Sequence, residues 1–233
     1  MHLYETHLHT SPVSLCARAS VRETLEYYKS AGYKGIFITN HFIDGNIELE
    51  TRQKPYYEQI EFYFSDFEEG KRIGDEIGLD VFLGIEMSYG GTDFLVYGID
   101  KEWCLAHPDM HKMRKTELLK MMMDDGALVI QAHPFREAAY IDHIRLFPRH
   151  IHGVEVYNAN RTEFENKLAE QYAENYSHLR FAGSDNHSAD KQKLFGGVAT
   201  ETPVTSVEDF IGRVFGGRVK LFKRDENGVT MFN

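Results

Sequence analysis

The strongest constraint on this fold is an alternation. Short, continuously apolar runs recur along the chain, separated by longer amphipathic stretches. The runs are HLYET (2–6), GIFIT (35–39), DVFLGIE (80–86), DFLVYG (93–98), ALVIQ (127–131), GVEVYN (153–158) and LRFAG (179–183). A strand that is apolar throughout has to be covered on both faces, which is how parallel sheets flanked by helices are built. The stretches between the runs supply the helices. Residues 20–32 open on Ser20, carry Glu23 three positions on and close on Gly32, a capping box followed by a C-terminal stop. Residues 54–78, 110–126 and 161–176 space their apolar side chains at helical intervals, and the aromatics of 55–67 fit a helix packed on the core. Seven runs alternating with helices predict one α/β domain whose sheet is closed or doubly wound. At 233 residues the chain can form a barrel of that class as a single unit.

In such barrels the reacting groups stand at the C-terminal ends of the strands. The first run leads into His7 and His9, alternate positions whose side chains share one face of a strand. The second leads into Asn40 and His41, the third ends at Glu86 and the fifth at His133. The sixth ends at Asn158 and Asn160, the seventh at Asp185 and His187. Gly90-Gly91 predicts a hairpin, which returns Asp93 close to Glu86, so that both carboxylates approach one cation or bridge two.

Taken singly, each of these side chains reads as an ordinary surface or core residue. Asp93 fits a turn, Glu155 a strand position paired with a neighbouring arginine, and Cys16 a buried apolar site. His2, His107, His111, His143, His150, His152 and His178 fall outside the strand-end pattern. Five histidines and several carboxylates on one rim, by contrast, read as a metal centre. Imidazole mixed with carboxylate suits Zn²⁺, Mn²⁺ or Fe²⁺ better than Ca²⁺ or Mg²⁺.

Charge narrows the ligand. Lys and Arg number 26 and Asp and Glu 36, a net charge of −10. That field repels nucleic acid, so no stable nucleic-acid partner is expected, and a phosphate ligand needs a local positive source such as a metal cluster. No apolar run is long enough for a membrane span. Two cysteines, Cys16 and Cys104, and a start lacking a basic, apolar leader point to a reducing cytoplasm.

The motifs HLH (7–9), ITNH (38–41), GIE (84–86), AHP (132–134) and GSDNH (183–187), in this order, resemble the PHP (polymerase and histidinol phosphatase) family of metal-dependent phosphoesterases. The resemblance spans roughly residues 1–200. It implies a distorted, TIM-like (βα)7 barrel occupying 1–233, with a helix and a strand in 201–233 completing it. It also implies two or three divalent metal ions and hydrolysis of a small phosphate monoester, such as a histidinol-phosphate-like compound or a nucleotide. By the same resemblance His7, His9, Glu86 and Asp185 hold a first metal, Glu86 bridges to a second held also by His133, and His41 and His187 hold a third.

The chain departs from the family pattern at three points. Asn40 stands where the family commonly has an aspartate. Asp93 aligns with a commonly histidine ligand of the second metal. For the third metal, TSPVSLC (10–16) offers only Ser14 or Cys16. Two metals about 3.5–4 Å apart share and acidify a water, and a bridging hydroxide attacking phosphorus is the expected chemistry. Glu86 and Asp185 are the catalytic candidates. Arg136 is the candidate phosphate clamp, ahead of Arg18 and Arg161, and Glu5 the candidate partner of a ligand imidazole. Two other readings stay open: amidohydrolase-type attack on a C–N bond, and a metal-binding module without catalysis. The bridging position carries Glu86 where amidohydrolase barrels generally use a lysine.

Overall fold

Each of the seven apolar runs forms a strand, and one of them forms two. The computed structural model describes residues 1–232. In chain order the elements are β1 (His2–Leu8), α1 (Val21–Ser30), β2 (Gly35–Ile38), α2 (Leu49–Arg52), α3 (Tyr56–Ile77), β3 (Asp80–Leu83), β4 (Ile85–Tyr89), β5 (Thr92–Tyr97), α4 (Lys101–Ala106), α5 (Lys115–Asp124), β6 (Leu128–Ala132), β7 (Gly153–Asn158), α6 (Glu163–Tyr176), β8 (Leu179–Gly183), β9 (Phe195–Thr200), α7 (Val207–Phe215), β10 (Lys220–Asp225) and β11 (Gly228–Phe232). None of these helices is long and apolar enough to cross a membrane.

The seven-stranded (βα)7 barrel does not form as one continuous ladder. The strands divide into a six-stranded sheet, ordered β11-β10-β9-β1-β2-β3, and a five-stranded sheet, ordered β4-β5-β6-β7-β8. Parallel pairs (β1/β2, β2/β3, β6/β7, β7/β8) mix with antiparallel ones (β1/β9, β9/β10, β10/β11, β4/β5, β5/β6). The division falls inside DVFLGIE, at Gly84. A Cβ there would stand 2.6 Å from Thr39 Cγ2 and 3.0 Å from the Tyr97 ring, so the backbone passes where no side chain fits. The chain leaves one sheet with β3 and enters the other with β4. Beyond α7, residues 220–232 supply two strands rather than the one expected.

The two sheets touch at two seams. Leu8 bridges Asn186, and His41 bridges Glu86, each an isolated parallel pair. Backbone bonds tie each seam, His9 N–H to Asn186 O at 2.8 Å and Phe42 N–H to Glu86 O at 2.8 Å. The core between the sheets is aromatic: Phe37, Tyr97, Phe181 and, from α7, Phe210 meet at centroid separations of 4.4 to 6.2 Å. The Tyr97 hydroxyl donates to Thr6 O at 2.7 Å, satisfying the one polar atom this packing buries on that ring.

Local grammar agrees with the sequence where capping and turns decide it. Ser20 and Glu23 form the expected capping box, and the β4–β5 hairpin turns on Gly90 and Gly91 at φ 57° and 85°. Both central residues at positive φ match the twist of the flanking strands. The buried face of α3 includes Ile60, Tyr63 and Phe64, so the aromatic segment packs on the core.

Candidate metal centre

The seams bring the strand-end side chains together. β1 delivers His7 and His9, the residues after β2 deliver His41, β4 delivers Glu86, the residue after β6 is His133, and the turn after β8 delivers Asp185 and His187. His133 and Asp185 hold the left-handed backbone, at φ 26° and 53°. For a histidine this conformation costs on the order of 1–3 kcal/mol, and such strain collects where structure over-determines a functional side chain.

Three groups of ligand atoms lie within 4.8 Å of one another: His7, Glu86 and His133; His7, His9 and Asp185; His9, His41 and His187. Seven of the eight expected ligands are thus placed in one cluster. Glu86 is at its middle, with Oε1 3.2 Å from both His7 Nε2 and His133 Nε2, and Oε2 2.6 Å from His41 Nδ1. Asp185 Oδ1 lies 3.4 Å from His9 Nε2 and 3.6 Å from His7 Nε2. Asp93 stands apart. On the face shared with Glu86, opposite Ser88, its Oδ2 is 4.0 Å from His133 Nε2 and 2.8 Å from Arg136 Nη2. The structure therefore gives Asp93 to an arginine and not to any of the three groups.

The surrounding shell orients the rings. His7 Nδ1 is 2.8 Å from Glu155 Oε1, His9 Nδ1 3.1 Å from Ser14 Oγ, and His187 Nδ1 2.8 Å from Asp185 O. With Nδ1 donating, each ring presents Nε2 to the others. Glu155 is fully buried and also accepts from His133 N–H at 3.0 Å and Asn158 Nδ2 at 2.9 Å, so it is no partner of an arginine. Glu5, expected to orient an imidazole, instead accepts from the backbone amides of Thr6, His7 and Ser184 at 2.9–3.0 Å. Burial raises its carboxyl to about 7, against hydrogen bonds from Ser184, the His7 amide and Tyr28. Asn40 accepts from Thr10 N–H at 2.7 Å and donates to Asp66 Oδ2 at 3.0 Å. The carboxylate absent at position 40 is thus found one side chain away, on α3.

Electrostatics distinguishes the rings. Burial opposes charge on His7 and His41, but Glu155, Asp185 and Glu86 around the first and Glu86 beside the second outweigh it, so both pKa values are well above the usual histidine range. Burial and the neighbouring His187 and His41 drive His9 well below it. Glu86 and Asp185 would be raised by burial, yet the facing imidazoles hold both well below the usual carboxylate range. Burial would likewise lift the Cys16 thiol, and the His187 and His41 rings against it bring it down to about 6.

A divalent cation fits these residues. The side chains of His41 and Glu86 are about nine-tenths or more buried, and His41 Nδ1 and Glu86 Oε2, although 2.6 Å apart, are not aligned to bond each other and have no other hydrogen-bond partner. Buried polar atoms are otherwise paired, and two that face one spot without a bond suit a shared ion. A cavity of about 800 Å³ opens onto the cluster, lined by His41, Asp93, Asp185 and His187 and by Arg18, Arg136 and Arg161. Neither Arg18 nor Arg161 forms an ion pair among the described residues, and no lysine lines the cavity.

Solved structures share the fold of this mixed α/β chain. The chain superposes on a two-domain protein of Bacteroides vulgatus containing a predicted PHP-like metal-dependent phosphoesterase, with TM-score 0.64 and 14% identity over 94% of this chain. It spans 64% of that protein's length. It also superposes on a proposed metal-dependent phosphoesterase of Bifidobacterium adolescentis, with TM-score 0.53 and 13% identity over 93% of this chain and 96% of the other. An amidohydrolase of Chromobacterium violaceum, solved with sulfate and no metal, matches with TM-score 0.54 and 13% identity over the same shares. The chain therefore shares the fold of PHP-like proteins, with its strands in two sheets and not in the closed (βα)7 barrel expected from the motifs. No family model matches the chain, and no curated protein matches it.

Proposed function

We propose that this chain is a metal-dependent phosphoesterase acting on a small phosphate monoester. The observation that carries the reading is the convergence on Glu86. Three imidazoles reach its two oxygens from separate strand ends, beside a cavity with three arginines in a chain of net charge −10. His7, His9 and Asp185 would hold one cation with Glu86, and His133 a second with the same carboxylate. His41 and His187 would hold a third, and Zn²⁺, Mn²⁺ and Fe²⁺ all suit such donors. Divalent cations held there would supply positive charge for phosphoryl oxygens and would acidify a bound water toward neutral pH.

The chain's own residues do the rest. Asp93 fixes Arg136 at the cavity wall, and Arg136 Nε, buried and without a partner, is available to an oxyanion. Arg161 Nε is likewise unpartnered. Glu155 keeps His7 in the tautomer that presents Nε2.

The fold alone also suits C–N bond hydrolysis, since one neighbour is an amidohydrolase. The absence of lysine from the cavity lining, among the described residues, favours the phosphate reading. The test is a panel of phosphate monoesters against amides and lactones, run after chelation and reloading with Mn²⁺, Zn²⁺ or Fe²⁺. Phosphate release that needs metal and disappears in Glu86→Gln is expected. Turnover of an amide or lactone with no phosphate release would overturn the proposal.

A further inference from the structure

A second cavity, of about 830 Å³, lies outside the metal centre, between helix α6 and the hairpin of β10 and β11. That volume is enough for a small metabolite. Residues directly opposite each other in an antiparallel pair share a face, so Lys223 lies beside Thr230 and Leu221 beside Phe232. Lys223 Nζ stands 4.5 Å from the centre of the Tyr157 ring of β7 and 5.2 Å from that of Phe232. Among the described residues no carboxylate pairs with it. Five lysines and arginines line the cavity against three carboxylates, a local excess of positive charge in a chain of net charge −10. One of those carboxylates, Glu170, is already taken by Arg180 at 2.6 Å.

Arg161 lines this cavity and the metal cavity alike. It stands in the turn 159–162 between β7 and α6, whose backbone is fixed. Ala159 N–H bonds Gly183 O at 3.0 Å and Arg161 N–H bonds Asn158 O at 3.1 Å. The Asn166 side chain closes on Asn158 N–H and Asn158 O at 3.0 and 3.1 Å. Arg161 Nε and Arg180 Nε are buried and have no hydrogen-bond partner. Buried donors are otherwise paired, and guanidinium groups left open beside a cavity suit an oxyanion.

We infer that this second cavity binds a small molecule through a phosphate or similar oxyanion, held by Arg161, Arg180 and Lys223. Tyr157 and Phe232 supply an apolar wall for the rest of the ligand. Arg161 joins the site to the metal cavity through one side chain. Arg180 and Lys223 do not line the metal cavity, so the site is independent of the phosphoesterase reading.

The test is calorimetric titration of the full chain after chelation, with phenyl phosphate and with inorganic phosphate. One binding event is expected to survive Arg136→Gln, which alters only the metal cavity. It should weaken about tenfold in Lys223→Gln and in Arg180→Gln, since a hydrogen bond to a charged group contributes that much. Lys223→Arg should keep it, which separates lost charge from lost fold. Tighter binding of phenyl phosphate identifies a phosphorylated metabolite as the ligand, and equal binding the free anion. No binding to the Arg136→Gln chain, or binding that Lys223→Gln and Arg180→Gln leave unchanged, would overturn the site. Metal-dependent phosphate release alongside either result would leave the phosphoesterase reading standing.

Discussion

Glu86 meets His7, His41 and His133 at 2.6 to 3.2 Å, more than any other carboxylate of the centre. Glu86→Gln keeps the shape and removes the charge those rings share; it is expected to abolish both metal content and phosphate release, read by elemental analysis and a phosphate assay. Glu155 acts through His7 and the His133 amide, so Glu155→Gln should leave the fold intact and weaken metal binding by about 10–100-fold, the usual range for partners of ligand imidazoles. Proton linkage follows from the raised His7 and His41. In the metal-free centre both carry protons near neutral pH, whereas a cation needs their lone pairs, so binding releases protons and tightens as pH rises. Calorimetric titration in buffers of different ionisation enthalpy should give different heats; identical heats would contradict the assignment. The clustered imidazoles and carboxylates were legible because they stand where apolar runs stop. Glu155 was not, because it sits inside a buried run and its partner His7 is 148 positions away. The hairpin that returns Asp93 toward Glu86 does not reveal Arg136 within 2.8 Å of it.

At the scale of elements, periodicity found every strand that carries a candidate ligand and missed the break in one of them. DVFLGIE is uniformly apolar up to its final Glu86, and the reason it divides is the close approach of Thr39 and Tyr97 to Gly84, which no local pattern encodes. Gly84→Ala should therefore destabilise the protein by about 1–3 kcal/mol through overpacking, measured by denaturant unfolding. The same change should lower metal affinity, since Glu86 lies two residues on. β9 was also missed: FGGVAT carries two glycines, which weaken a strand signal, yet a Cβ at Gly197 would run into the Tyr4 carbonyl oxygen, so this antiparallel pairing requires the small residue. Helix α7 closes the core by way of Phe210, and Phe210→Ala should cost about 3–5 kcal/mol without touching a ligand.

For the whole molecule, the class of fold was readable, because alternation and strand-end chemistry follow from local sequence. The arrangement of two sheets meeting at Leu8–Asn186 and His41–Glu86 was not, because it depends on contacts between distant segments. Metal bound at the proposed centre would bridge both seams, so it should act on global stability. At a free metal concentration about 100 times Kd the gain is about 2.7 kcal/mol, which for a chain of this size raises Tm by roughly 5–10 °C. Differential scanning with and without chelator measures it, and an unchanged Tm would show that the seams close without the ions. Glu5, beside the first ligands, bonds the Ser184 amide 179 positions later. During synthesis the leading histidines emerge from the ribosome long before their counterparts exist. Cation capture at the proposed centre would consequently be a late event in the life of each nascent polypeptide: a chain stalled with residues 184–187 still in the exit tunnel should be blind to the ion, and one released past them should not.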